Sequence, residues 1–334
     1  MLRILLATTL LAPAAALNVA VAGATGRVGR LVVQTLLDEG NSVVALARSA
    51  EKASEVLPKA ADCRCIDFGT AGAADVQTAL ASADHLIWCA SGFTESGESI
   101  DALGLKAVTD SSFKGTVVMC SSAGVTRPEW SESKSARLVG AADIPIIRLN
   151  PGGILQQKAA AEQMLRDSGL PYSIVRPTGL KFDGWPRGRP ILSQGDVAVG
   201  RTNPDDLAAV LVGALTEPAA HKKTFEFFTL AGYPAPRSLA GPLEKLAADG
   251  GPVDEAAVAA TYDALQQLLP GEEQDATKLE MGQSYEQVDA GQVARAPGAA
   301  PTERELAVAS SVVAADGGPR RGVRSFVKRV FSRS

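Results

Sequence analysis

Three glycines, Gly23, Gly26 and Gly29, punctuate the run Leu17-Asn-Val-Ala-Val-Ala-Gly-Ala-Thr-Gly-Arg-Val-Gly29. A turn with this spacing suits one chemistry well: it brings backbone N–H groups and little bulk close to a phosphate. Gly23 permits a tight turn. Gly26 lets the backbone approach a pyrophosphate, and Gly29 lets the next helix lie close to the preceding strand. Arg27, inside the turn, adds a positive charge.

The elements that must hold this turn are legible on both sides. Residues 17–22 are a short apolar strand. Val28, Leu31, Val32, Thr35 and Leu36 recur at helical spacing after it. Strand, glycine turn and helix together open a dinucleotide-binding unit. In such a unit the second strand ends about 20 residues further on, with an acid if a ribose 2′-hydroxyl is read. Residues 43–47 are that strand, and Arg48 and Ser49 follow it in place of an acid. A guanidinium pairs a phosphate with two parallel hydrogen bonds. Arg48 therefore favours NADP(H) over NAD(H).

The chain has 334 residues, 46% of them hydrophobic, enough for one large core with appendages. Its net charge of −4 and sparse aromatics argue against nucleic-acid binding. Cys63, Cys65, Cys89 and Cys120 fit neither a zinc site nor a disulfide scaffold by spacing, and the two histidines give no metal set. Cys89 and Cys120 fall near the ends of two predicted strands and read as small buried apolar residues, with a redox role as the lesser alternative. Residues 1–16 have one basic residue, an apolar stretch and a small-residue end, the pattern of a secretory signal peptide cleaved near Ala16.

Strands and helices then alternate, which predicts an α/β fold with a doubly wound parallel sheet over 17–232. Further strands are expected at 63–67, 85–90, 115–122, 171–176 and 225–230. Helices are expected at 74–81, 100–112, 158–168 and 205–215. Residues 233–289 read as a helical appendage with helices at 239–248 and 253–269, the second carrying an apolar stripe of Val258, Leu265, Leu268 and Leu269. Residues 290–319 are rich in Ala, Gly and Pro and read as a disordered linker. Residues 320–334 hold six basic residues and no acid, with Val323, Phe326, Val327, Val330 and Phe331 on one helical face. A basic amphipathic tail of this kind suits an anionic membrane surface or an acidic partner.

Several segments occur in an order that resembles an atypical short-chain dehydrogenase/reductase of the NmrA-like, NAD(P)-binding group, in its plant and algal plastid branch. They are residues 23–29, Ser121-Ser-Ala-Gly-Val125, Lys158 with Glu162, residues 171–180 and residues 203–208. The resemblance covers roughly 17–230 and implies a Rossmann-type fold. It implies that Gly23, Thr25, Gly26, Arg27, Val28 and Gly29 line the pyrophosphate side and that Arg48 meets the adenosine phosphate. Asp67 and Phe68 would lie beside the adenine, and Ala90, Ser91 and Gly92 beside the ribose. Ser121 or Ser122, Lys158 and Arg176, Pro177, Thr178 and Gly179 would surround the nicotinamide. Its plastid branch adds a plastid destination to the secretory one.

Active reductases of this superfamily place a proton-donating tyrosine four residues before the lysine. Here that position is Ile154, and Tyr172 falls within a predicted strand. Hydride addition to a carbonyl needs an acid for the developing alkoxide. Two readings therefore stand: an oxidoreductase on a small carbonyl-type substrate with Ser121, Ser122 or Lys158 in the catalytic role, or a non-catalytic NADP(H)-binding redox sensor or membrane-associated assembly factor.

Overall fold

The structure, a computed structural model, describes residues 16–268 apart from Asp143 and Asp183. The signal-like segment 1–15, the linker 290–319, the basic tail 320–334 and the end of the appendage lie outside the described residues.

The first half of the chain builds regular strand–helix units: β1 (Asn18–Ala22), α1 (Arg27–Asp38), β2 (Ser42–Ala47), α2 (Ala50–Val56), β3 (Asp62–Cys65), α3 (Ala73–Ala79), β4 (His85–Trp88), α4 (Ile100–Asp110) and β5 (Thr116–Cys120). Three short helices follow, α5 (Glu132–Arg137), α6 (Val139–Ala142) and α7 (Pro145–Leu149). After them come α8 (Ile154–Asp167), β6 (Tyr172–Pro177), β7 (Gly179–Leu180), β8 (Gly188–Ser193), β9 (Arg201–Thr202), α9 (Pro204–Thr216), β10 (Lys223–Ala231), α10 (Ala240–Glu244) and α11 (Glu255–Gln266). Polar residues start the helices. Ser49 caps α2, Ser99 caps α4 and Asn203 caps α9 just before Pro204. Such caps are worth about 1 kcal/mol each. Gly169, with φ of +74°, follows α8.

The large sheet has the order β3-β2-β1-β4-β5-β6-β10-β8. Every pair from β3 to β10 is parallel, and β8 lies antiparallel on β10. Alternation along each strand feeds two cores. Val19, Val21, Ile87 and Val118 meet Val32, Leu36, Leu207 and Leu211 of α1 and α9. Ala20, Ala22, Trp88 and Met119 meet Leu105, Ala161 and Leu165 of α4 and α8. The fold is thus Rossmann-type α/β, with helices on both faces of a mainly parallel sheet.

The differences from the sequence expectation have local causes. Strand β8 contains Arg189 and Pro190 and lacks a strand pattern. Its place at the sheet edge tolerates the proline. Helix α8 starts at Ile154, earlier than predicted, because Gly152 and Gly153 take positive φ and turn the chain into it. Helix α10 ends at Glu244 instead of reaching 248. Lys223 Nζ donates to the Leu243 carbonyl (2.7 Å), and the Gln194 amide exchanges two 2.9 Å hydrogen bonds with the Ala247 backbone. These bonds tie the segment to the sheet edge.

Helix α11 lies against the main body. Val258, Tyr262 and Leu265 join Leu138, Ala141, Val197, Ala198 and Phe228 in a third core. Tyr262 takes the place expected for Leu268, which is 38% exposed, and its hydroxyl accepts from the Gly140 N–H (3.0 Å). Among the described residues no helix is long and apolar enough to cross a membrane.

Candidate functional site

The segments that follow β1, β2, β3, β4, β5 and β6 at their carboxyl ends open into one cleft of about 1270 Å³. Ordinary ligand pockets are about 300–1,000 Å³, so this cleft has room for a dinucleotide and a second small molecule. It straddles the gap between β1 and β4, where the strand order reverses, the place where open α/β sheets bind ligands.

The glycine turn forms one wall. Gly23 has φ of +72°, and a Cβ there would lie 2.7 Å from the Ala90 backbone. A Cβ on Gly29 would overlap the Gly23 carbonyl oxygen. Gly29 thus acts from behind the wall, letting α1 abut the turn, and does not line the cleft. Gly23, Thr25, Gly26, Arg27 and Val28 do line it. Gly26 is the N-cap of α1 and has no side chain to cap with, so the first N–H groups of α1 are left for an outside acceptor. This bare backbone cradle fits the pyrophosphate of a nicotinamide dinucleotide.

Arg48, Ser49, Lys52, Asp67 and Phe68 line the end beyond β2 and β3. The Ser49 hydroxyl is engaged as the cap of α2, accepting from Lys52 N–H (3.1 Å) and donating to Glu51 (2.8 Å). Phe68 packs on Trp88 with ring centres 4.7 Å apart. Asp67 accepts from the Gly69 N–H (2.9 Å). Ala90, Ser91 and Gly92 border the middle of the cleft.

At the other end Ser121, Ser122, Lys158, Pro177, Thr178 and Gly179 converge. Lys158 Nζ donates to Asp101 Oδ1 (3.0 Å), and Trp88 Nε1 donates to the same oxygen (3.2 Å). Burial works against the Lys158 ammonium, yet the charge and hydrogen bond of Asp101 outweigh it and hold the lysine above its usual pKa. The Ser121 hydroxyl donates to Glu162 (2.6 Å), and that of Ser122 donates to the Ala123 carbonyl (3.0 Å). Both hydroxyl protons are therefore engaged inside the protein.

Arg176 does not reach the cleft. Its guanidinium is buried and clamps Glu162 of α8, Nε to Oε1 at 2.9 Å and Nη2 to Oε2 at 2.5 Å. Strand alternation sends Arg176 to the α8 face, alongside Ile174, while Pro177 and the residues after it turn into the cleft. Burial opposes the charge on Arg176, and Glu162 overrides it, keeping the guanidinium firmly protonated.

Ile154 lines the cleft where a proton-donating tyrosine is absent. Tyr172 sits at the start of β6, at the opposite end of the sheet, with its hydroxyl on Asp249 (3.0 Å). Among the described lining residues there is no tyrosine, histidine or glutamate.

Several wall residues escape a motif search. Phe93, Ile144, Ile146 and Leu149 make an apolar surface at the lysine end, with Phe228 and Leu230 from β10. The segment after β7 contributes Phe182 and Trp185. The Arg27 guanidinium lies over the Phe182 ring at 4.0 Å, and that of Arg201 over the Trp185 ring at 5.0 Å. The only sequence signal for this wall is an aromatic pair in an irregular, glycine- and proline-rich stretch.

Comparison with known proteins agrees with this geometry. A sequence profile described as NAD(P)H-binding matches residues 23–218. An uncharacterized chloroplastic protein of Arabidopsis thaliana is 30% identical over 232 residues, covering 65% of this chain and 78% of that protein. Protein TIC 62, chloroplastic, of Oryza sativa subsp. japonica is 29% identical over 177 residues, 48% of this chain and 35% of the rice protein. A solved Bacillus halodurans structure, described as a candidate NAD-dependent epimerase/dehydratase, shares the fold with a TM-score of 0.54 at 22% identity. It covers 69% of this chain and 100% of that one.

Proposed function

The chain belongs to the NAD(P)H-binding family, and from that premise we propose that it is an NADP(H)-binding protein of the atypical short-chain dehydrogenase type that reduces a small carbonyl-type acceptor. The observation that carries this reading is the continuity of one cleft from the bare glycine turn to Lys158, with an apolar wall left over beyond the lysine.

The residues divide the work as follows. The first turn of α1 receives the pyrophosphate on backbone N–H groups, and Gly26, whose own N–H is donated to the Gly23 carbonyl (2.9 Å), leaves room for it. Arg48 and Lys52 offer the positive charge that a 2′-phosphate needs, and Arg48 stands directly after β2, where an acid would read a ribose hydroxyl. Asp67 and Phe68 flank the adenine, and Ala90, Ser91 and Gly92 the ribose. Lys158, fixed by Asp101, holds the second ribose at the nicotinamide end. Pro177, Thr178 and Gly179 close the far side. The bound dihydronicotinamide supplies the hydride, and the apolar wall of Phe93, Ile146 and Leu149 excludes water from the acceptor.

One observation favours a second reading. Among the described residues no tyrosine lines the cleft: Ile154 takes its place, and the Ser121 and Ser122 protons are spent on Glu162 and Ala123. A protein so built binds the dinucleotide without turnover and serves as a redox sensor or assembly factor. NADPH oxidation against a panel of aldehydes, ketones and quinones separates the two. Turnover supports the reductase. Its absence, together with a partner or membrane affinity that differs between NADPH and NADP+, supports the sensor.

The chloroplastic relatives support a plastid location. The basic segment 320–334 completes the proposal as a contact for anionic lipid or an acidic partner. Deleting it is expected to abolish binding to anionic vesicles and to leave dinucleotide affinity unchanged. Equal vesicle binding by the truncated chain would overturn that assignment.

A further inference from the structure

Two thiols lie side by side in the floor of the cleft. Trp88 of β4 pairs in register with Met119 of β5, so the next residues, Cys89 and Cys120, are lateral neighbours at the carboxyl ends of parallel strands. Both side chains go to the same face of the sheet, against the core beneath α1 and α9. The Cys89 thiol hydrogen-bonds to Cys120, and this contact, then burial, pushes its pKa well up. Both cysteines are half-buried, both line the cleft, and both are reduced.

Adjacent strands run about 4.8 Å apart. A disulfide bridges Cα atoms about 4.4–6.8 Å apart. Register partners on neighbouring strands fall within that window, so the bond can close once the two strand ends draw together enough to bring the Cβ atoms to about 3.5–4.5 Å. The hydrogen bond to Cys120 and burial outweigh the nearby Lys158 charge at Cys89, so Cys89 keeps its proton and directs it at the Cys120 sulfur.

We propose that Cys89 and Cys120 form an oxidisable dithiol in the floor of the dinucleotide cleft, closed to a disulfide by a hydroperoxide. Cys120, which accepts the Cys89 hydrogen bond and shares the lysine's field, is the attacking thiolate. Its sulfur takes the terminal peroxide oxygen, the O–O bond breaks, and the leaving oxygen departs as water or alcohol after protonation. The product is a sulfenic acid. The Cys89 sulfur then displaces that oxygen as its own proton leaves, so the S–S bond forms and a second water departs. Each dithiol oxidised reduces one hydroperoxide. The backbone transmits the change, because the Gly23 turn abuts Cys89 and Ala90 so closely that not even a Cβ fits between them. A strand end drawn toward β5 alters the wall that receives the pyrophosphate.

The test is peptide mapping of the reduced full chain after graded hydrogen peroxide and iodoacetamide. The exposed Cys63 and Cys65 serve as internal reference thiols. The expected result is a Cys89–Cys120 cross-linked peptide, lighter by two hydrogens than its reduced parts and lost on treatment with dithiothreitol. Cys89→Ser should leave a Cys120 sulfenic acid that dimedone traps. If Cys89 and Cys120 both remain alkylated at peroxide doses that oxidise Cys63 and Cys65, the proposal is overturned. Over-oxidation of Cys120 to a sulfinic acid with no cross-link overturns it equally. Saturating NADP+ should slow the cross-link. A cross-link that forms at the same rate with NADP+ counts against the dinucleotide reading and leaves the dithiol standing.

Discussion

Lys158 and Asp101 form a buried ion pair, Nζ to Oδ1 at 3.0 Å, at the end of the cleft away from Arg48. Asp101 is 1% exposed and does not line the cleft, whereas Lys158 does. The carboxylate thus fixes the Lys158 ammonium from behind the cleft wall. The paired state raises the lysine's pKa in the folded protein. Its contribution to stability is therefore complete below the ordinary lysine value and is lost only as pH rises through the raised one. Across neutral pH the pair is intact.

Asp101→Asn should destabilise the protein by roughly 3–5 kcal/mol, because it leaves a buried ammonium without its counter-charge. Replacing the lysine as well, Lys158→Met with Asp101→Asn, should restore most of that stability, because asparagine keeps an acceptor for the Trp88 N–H, and still weaken dinucleotide binding. Urea unfolding beside cofactor titration checks both halves. Full affinity in the double variant would show that Lys158 is structural only.

Gly26→Val should abolish dinucleotide binding while leaving the fold intact. The Gly26 backbone is extended at φ of −73°, which valine accepts, and its nearest neighbour would be the Gly23 carbonyl at 3.1 Å. The added methyls would occupy the pyrophosphate position. Retained affinity, measured by quenching of nicotinamide fluorescence, would displace the site from the turn.

Arg48→Asp should move preference from NADPH toward NADH. A hydrogen bond to a charged group is worth about 1.5–3 kcal/mol, roughly 10- to 150-fold in the ratio of the two dissociation constants. An unchanged ratio would show that Arg48 does not read the 2′-phosphate.

Glu226→Gln should stabilise the protein increasingly as pH rises. Glu226 is buried in β10, and burial, then the charge of Asp196, raises its carboxyl above the usual range. A raised folded-state pKa means that its contribution is present below the unfolded value and is lost as pH climbs through the raised one. Glutamine escapes that loss and keeps an acceptor for the Asp196 N–H, which Glu226 now takes at 3.0 Å. Melting temperatures of the two proteins should diverge as pH rises above the ordinary carboxylate range. Parallel curves would show that Glu226 is ionised at no cost.

What the sequence reveals about this protein is what local chemistry dictates. The glycine turn is legible because the positive φ of Gly23 and the close approach of α1 at Gly29 leave no room for a Cβ. The central strands are legible because buried parallel strands are short continuous apolar runs. Arg176 misleads for the opposite reason. It sits beside cleft residues in sequence, but Glu162 on α8 claims its guanidinium. Asp101 looks like an ordinary acid in the first turn of α4, and only the sheet brings it to Lys158, 57 residues away. Strand β8 is hidden because an edge strand against β10 does not need an apolar run. The cysteine pair needs the β4–β5 register to become visible at all.

The most direct measurement is a titration of the purified protein with NADPH and with NADH, followed by nicotinamide fluorescence. Saturable NADPH binding and much weaker NADH binding are expected. Failure to bind either nucleotide would contradict the dinucleotide reading, for the glycine turn and the cleft it opens would then have no dinucleotide to hold.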